Sequence, residues 1–305
     1  MIDFHKITIA DKEPFERCAA AYNYYICEHC FTDALIWSGH YGTKLHFSEG
    51  LCYTMSISEE TGAVFYGAPF GSGNLRQGLQ KIRADAEERR VPLRIVTITQ
   101  PMLERMEAEM PGVFHFEEHR DGSDYLYLAQ DLSTLKGKKF QSKRNLINRF
   151  KAEYEGRWAY EAMTEENKEE AFRFNETWKK INGCRGADDP TGEVCALRIA
   201  LDYFSALHLK GGFLRLDGKV IAMTIGCQSY EDLFVIQFEK ADAEISGAYQ
   251  MINQQFAMHN FENVTYVNRE EDLGIEGLRK AKLSYHPVQV NMEYVATLKE
   301  NSYGN

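Results

Sequence analysis

The chain reads as one succession of elements written twice. From residue 44 the pattern is β: KLHFS, a Glu49-Gly50 turn, LCYTMSI, then Glu60-Thr61-Gly62 and AVFYGAP, short runs joined by turn residues at hairpin spacing. LRQGLQKIRADAEERR then sets Leu75, Leu79 and Ile82 at helical spacing with charges opposite. LRIVTI, a short helix over 102–110, VFHFEE and a strand over 125–128 complete the order β-β-β-α-β-α-β-β. The second half repeats it: GGFLRL, the Asp217-Gly218 turn, KVIAMTIGCQ, the Glu231-Asp232 turn, LFVIQFEK and a helix over 248–260. VTYVN, a short helix through GIEGLRKAK, and LSYHPVQVNMEYVATL follow. A repeat of element order predicts two similar mixed sheets, an α+β protein.

At 305 residues the chain exceeds the size at which one hydrophobic core stops growing. Two domains are expected, 1–133 and 134–305, the second opening with a basic helix within 136–154. A helix is expected over 12–25. Between the two sheets the sequence predicts a strand over 158–162 and helices over 165–181 and 192–209, separated by the loop NGCRGADDPTG.

Composition narrows the function classes. Hydrophobic residues make 44% and charged residues 26%, which excludes disorder as the main theme. No run approaches the roughly 20 apolar residues that span a bilayer, and MIDFHKITIADKEPFERC lacks a signal peptide's apolar middle, so a cytoplasmic protein is expected. Seven scattered cysteines suit a reducing compartment without disulfides. Cys27 and Cys30 form a lone C-x-x-C, and the histidines show no H-x-x-x-H or H-E-x-x-H spacing, so no metal is expected. The net charge of −10 argues against a broad nucleic-acid surface, yet residues 136–151 hold seven basic side chains and no acidic one.

LKGKKFQSKRNLINRF at 135–150 and VNREEDLGIEGLRKAKLSYHP at 267–287, supported by SEGLCYTMSI and CEHCFTDALIWSGHY, carry a resemblance. The chain resembles, over nearly its whole length, the bacterial phosphatidylglycerol lysyltransferase C-terminal-domain-like family. Members of that family look like two tandem GNAT-like acyl-CoA N-acyltransferase folds and are related to Fem-type aminoacyltransferases. The resemblance implies an acyl or aminoacyl transferase acting on an amine or hydroxyl acceptor. Its donor would be an aminoacyl-tRNA or an acyl-CoA, and its phosphate-bearing partner a tRNA or an anionic lipid headgroup. The full lipid synthases carry a membrane-spanning region, and this sequence shows none.

Two constellations carry candidate chemistry. In KRNLINRF, Arg144 and Asn148 sit four apart on a helix beside Lys143, a basic and amide face suited to phosphate oxygens, or else a solvated linker helix. In NREEDLGIEGLRKAKLSY, Glu270 or Asp272 could accept a proton, while Arg269, Lys282 or Tyr285 could donate to a carbonyl oxygen. Arg279 and Lys282, three apart, form a second cationic pair; an ion-pair network that only fixes the helix is the structural alternative. A GNAT-like turn at 243–248 would present the amides of Ser246 and Gly247 to an anion. It keeps only the final Gly-Ala of the Gln/Arg-x-x-Gly-x-Gly/Ala signature of acetyl-CoA enzymes. With no nucleophile elbow, direct transfer is the expected mechanism. A coenzyme A-dependent N-acyltransferase and a non-catalytic module for anionic lipid or RNA stand as alternatives.

Overall fold

A computed structural model describes residues 1–22, 24–58, 61–181 and 192–299. The expected loop NGCRGADDPTG, apart from Gly192, and Glu60 of the expected turn lie outside the described residues. The chain runs β1 (His5–Lys6), α1 (Lys12–Ala20), α2 (Phe31–Ile36), β2 (Lys44–Ser48), β3 (Leu51–Ile57), β4 (Val64–Gly67), β5 (Phe70–Gly71), α3 (Leu75–Arg89), β6 (Arg94–Ile98), α4 (Gln100–Glu109) and β7 (Phe114–Leu128). It continues through α5 (Ala129–Thr134), α6 (Gln141–Glu153), β8 (Trp158–Ala162), α7 (Glu169–Ile181), α8 (Glu193–Asp202), β9 (Lys210–Leu216), β10 (Lys219–Tyr230) and β11 (Leu233–Ala241). It closes with α9 (Ala248–Asn260), β12 (Tyr266–Asn268), α10 (Glu276–Leu283) and β13 (Gln289–Leu298).

These elements form two units. One comprises Met1–Asp124, Glu271–Glu276 and the chain from Val290; the other comprises Tyr125–Glu270 and Gly277–Gln289. The sequence reading put the division after residue 133. The boundary falls inside β7, and β13 belongs to the first unit, where it pairs antiparallel with β6 through Tyr294↔Ile98 and Thr297↔Arg94. The physical reason is the open edge of β6: its other side already pairs in parallel with β4, and the last strand of the chain supplies the remaining partner.

In the first unit the strand order is β1-β2-β3-β4-β6-β13-β7, with β5 pairing β3. The Glu49-Gly50 turn joins β2 to β3 with both residues left-handed, φ 54° and 75°, as a tight hairpin requires. Leu75, Leu79, Ile82 and Ala86 of α3 are buried against this sheet, each large one contributing about 1.5–3 kcal/mol. Asn74 caps the helix by accepting from the Gln77 amide at 3.0 Å. Where the sequence predicts VFHFEE and a separate strand over 125–128, the structure has one fifteen-residue strand. Gly122 lies between the two predicted pieces, where a Cβ would meet Glu293 Oε2 at 2.0 Å. The glycine serves a close approach inside an unbroken strand. The first helix stops at Ala20, short of the expected 25, as the tyrosine-rich AYNYY begins.

In the second unit the order is β7-β12-β11-β10-β9-β8, the end of β7 pairing antiparallel with β12. Phe234 of β11 packs against Phe256 of α9 and Phe261 with ring centroids 5.8 and 5.0 Å apart. The predicted helix over 192–209 ends at Asp202. Each unit thus sets an antiparallel meander, a helix and a parallel strand in the order of a GNAT-like fold. No helix among the described residues is long and apolar enough to cross a membrane.

Candidate functional site

In the second unit, β11 and β12 run parallel for only three residue pairs, Leu233↔Tyr266 to Val235↔Asn268. Just beyond lies an irregularity in the β10 pairing: Gly226 pairs Ile236 and Ile225 pairs Phe238, so Gln237 has no opposite number. One extra residue switches which side chains face which side of the sheet. Phe234 packs on α9 before the irregularity, and Glu239 reaches α9 after it, where Asn253 Nδ2 donates to Glu239 Oε2 at 3.0 Å.

Glu239 Oε1 accepts from Arg269 Nη2 at 2.6 Å, and both side chains are largely buried. The Arg269 amide donates to the Tyr125 carbonyl, fixing the residue where β12 ends. Its guanidinium lies 4.9 Å from the Tyr285 ring centroid and 5.5 Å from that of Tyr127. Burial opposes the Arg269 charge, but Glu239, Tyr127 and Tyr285 outweigh it and raise the pKa. Burial pushes both tyrosine hydroxyls well up, against the neighbouring Arg269 charge. Arg269 Nη1, Asn253 Oδ1 and Thr224 Oγ1 are buried with no hydrogen-bond partner, and Thr224 sits directly opposite Glu239 across the strands. Buried polar atoms left this way are costly unless a ligand or water engages them.

Two lysines complete the cluster. Lys143 of α6 donates to Ser284 Oγ at 2.6 Å and lies 4.2 Å from the Tyr285 ring centroid; burial, then the Arg269 charge, lowers its pKa. Lys282 of α10 donates to the carbonyls of Arg269 and, at 3.0 Å, Glu270, while its own carbonyl accepts from Tyr127 Oη at 2.8 Å. It thereby ties down a turn in which Glu270 is left-handed at φ 56°. Arg269, Lys143 and Lys282 share this region with two carboxylates, Glu239 and Glu270, and their donors can engage an anionic or carbonyl-bearing ligand.

The structure therefore brings Arg269, Tyr285, Lys143 and Lys282 together, with Glu270 contributing backbone: its amide donates to Asn268 Oδ1 at 2.6 Å. The other candidates lie elsewhere. Asp272 is in the first unit, accepting from Arg120 at 3.3 Å and from the Gly274 amide at 2.9 Å. Arg144 donates to the carbonyls of Leu135 and Gly137, holding the turn before α6. Asn148 is exposed on another face of α6, and Arg279 is half-buried on α10. Ser246 is exposed. Gly247, at φ 88°, is buried so close to α6 that a Cβ would lie 2.7 Å from the Leu146 carbonyl.

Glu239, Asn253 and Tyr127 escaped the sequence reading. The available signal was Glu239-Lys240 at the end of the mostly apolar LFVIQFEK. In the first unit, Cys27 Sγ and carboxylate oxygens of Asp124 and Glu271 lie within 4.8 Å of one another, a donor set from three distant segments that no spacing rule reveals. Glu28 beside them is pushed well above its ordinary pKa by burial and by Asp124, Glu293 and Glu271.

The chain is similar to several known proteins. A conserved protein of unknown function from Bacteroides thetaiotaomicron is 39% identical, with a TM-score of 0.91 over 98% of this chain and 100% of that one. The C-terminal domain of a putative lysylphosphatidylglycerol synthetase from Agrobacterium fabrum shares the fold at 16% identity, with a TM-score of 0.68 over 95% of this chain and 92% of that one. An uncharacterized protein of Mycoplasmoides gallisepticum is 28% identical over 186 residues, 58% of this chain and only 56% of its own length. Residues 19–297 match the family described as phosphatidylglycerol lysyltransferase, C-terminal, and the chain belongs to that family.

Proposed function

We propose that the second unit transfers an aminoacyl group, lysyl in the family's description, from a charged tRNA to a hydroxyl or amine acceptor, phosphatidylglycerol being the acceptor that description names. The observation that carries this reading is Arg269: buried, held by Glu239 through Nη2, and unpartnered at Nη1. In the proposed step the acceptor oxygen or nitrogen attacks the ester carbonyl carbon. The bond to the tRNA ribose breaks, and the ribose oxygen leaves carrying the acceptor's proton. Arg269 Nη1 donates to the carbonyl oxygen as negative charge grows there. The acceptor's proton passes to the leaving ribose oxygen, and Lys143, beside Tyr285, stays a cation that steadies the negative charge on that oxygen. Glu239 keeps the guanidinium in place, a positioning role supported by Asn253.

The incomplete signature at 243–248 and the tight seating of Gly247 on α6 favour aminoacyl-tRNA over acyl-CoA as donor. The test is single-turnover transfer from radiolabelled lysyl-tRNA to phosphatidylglycerol in mixed micelles, with acetyl-CoA as a competitor. Arg269→Lys keeps the charge but not the planar fork, and a drop of roughly 100-fold is expected. A folded Arg269→Lys protein with undiminished transfer, or competition by acetyl-CoA, overturns the reading.

A further inference from the structure

The first unit gathers a thiol and several carboxyl groups that the proposed transfer does not use. Cys27 opens a short 3-10 turn, Asp124 ends this unit's part of β7, and Glu271 begins the stretch that returns to the unit after β12. Cys27 Sγ and one oxygen each of Asp124 and Glu271 lie within 4.8 Å of one another, and Cys27 and Asp124 are buried. The sulfur is 3.5 Å from Glu28 Oε2 and 3.8 Å from Glu271 Oε2. Bonds of about 2.3 Å to sulfur and about 2.0 Å to oxygen, at a tetrahedral angle, set a sulfur–oxygen edge of about 3.5 Å. These contacts already have the span of one coordination shell.

Charge and space both call for a cation. The neighbouring cations turn to other carboxylates, His119 to Glu293 at 2.6 Å and Arg120 to Asp272 at 3.3 Å. Among the described residues no lysine, arginine or histidine forms an ion pair with Glu28 or Glu271. Carboxylates drawn out of bulk water without a counter-charge are costly, and a bound cation removes that cost. Asp124 is held in place through Oδ2, which accepts from the Cys27 amide at 2.8 Å, as ligating carboxylates are held by their own hydrogen bonds. Glu28 and Asp124 also border, with Glu293, a cavity of about 10 Å³, room for one water beside an ion.

The donor set chooses the ion. Magnesium and calcium take oxygen ligands and would leave the thiol idle, whereas a thiolate beside carboxylates suits zinc and similar borderline ions. We propose that Cys27, Asp124, Glu271 and Glu28 bind one divalent cation of the zinc class, a structural clasp that ties the segment around Cys27 to β7 and to the stretch at Glu271. On binding, the S–H bond of Cys27 breaks, its proton passes to water and the sulfur–metal bond forms. Such a clasp holds whether or not the second unit transfers an aminoacyl group.

The experiment takes the full chain, freed of metal with a chelator, and titrates it with Co²⁺ as a coloured stand-in and with Zn²⁺. One equivalent of Co²⁺ is expected to bind with a sulfur-to-cobalt charge-transfer band in the near ultraviolet, Zn²⁺ to displace it, and the thermal midpoint to rise with Zn²⁺. Cys27→Ser removes the band, and Cys27→Ser and Glu271→Gln each weaken zinc binding by about tenfold or more. Cys195→Ser, which removes an exposed thiol of the second unit, changes neither. No band at one equivalent, or a band that Cys27→Ser retains, overturns the proposal, as does equal stabilisation by Ca²⁺ or Mg²⁺. Glu271 is half-buried, so Glu271→Gln folds even where Cys27→Ser does not; an unchanged zinc affinity in that variant overturns it as well.

Discussion

Asp85 shows how a single side chain can defy a helical pattern. By spacing, α3 divides into an apolar face and a charged one, yet Asp85 is buried with the apolar residues. Its carboxylate accepts from Tyr66 Oη at 2.8 Å, the Ile2 amide at 2.6 Å and Arg89 Nε at 2.6 Å. Burial alone would raise its pKa, but Arg89, Ile2 and Tyr66 together hold it below the ordinary carboxylate value. A depressed folded pKa contributes stability that is present above the unfolded value and lost as pH falls through the folded one. Asp85→Asn is therefore expected to cost about 2–3 kcal/mol at neutral pH and much less in acid; urea titrations at the two pH values measure it, and an equal cost in both sinks the argument. The same limit governs the functional site. Arg269, Lys282 and Tyr285 could be named because they crowd a polar stretch of sequence, and Lys143 because it sits in a basic run. Glu239, Asn253 and Tyr127 lie in a strand, a helix and a strand that carry no motif, and the irregularity at Gln237 turns Glu239 toward Arg269.

Elements with strong local signals were legible before the structure. The span of α9 is as predicted because Gly247 precedes it and apolar residues repeat through it; β8 likewise matches its expected 158–162. Elements whose identity depends on distant partners were not. β7 reads as two pieces, VFHFEE and 125–128, and the glycine between them is accounted for by the close approach of Glu293. Gly247 tests how tightly an element can be seated. Alanine there meets both a left-handed backbone and the Leu146 carbonyl, so Gly247→Ala is expected to destabilise by about 1–3 kcal/mol. A thermal midpoint unchanged by the substitution would mean that α6 and α9 yield freely.

At the scale of the molecule, the repeated element order identified two folds, while sequence order is silent about which unit a late strand joins. A fragment starting at residue 134 lacks Tyr125–Leu128, the strand that pairs with β12 through Leu126↔Asn268 and Leu128↔Tyr266. It is expected to stay unfolded or aggregate through that open edge, and a well-dispersed proton NMR spectrum of the fragment would refute this. The first unit has a more distant dependency. The Thr97 amide on β6 donates to Glu293 on β13, 196 residues later. On the ribosome, the domain begun first is therefore the one completed last. Its half-built sheet waits with an unguarded rim while the whole second unit is synthesised. That interval, set by translation speed, is when the nascent chain is most exposed to mispairing and most dependent on whatever shelters it.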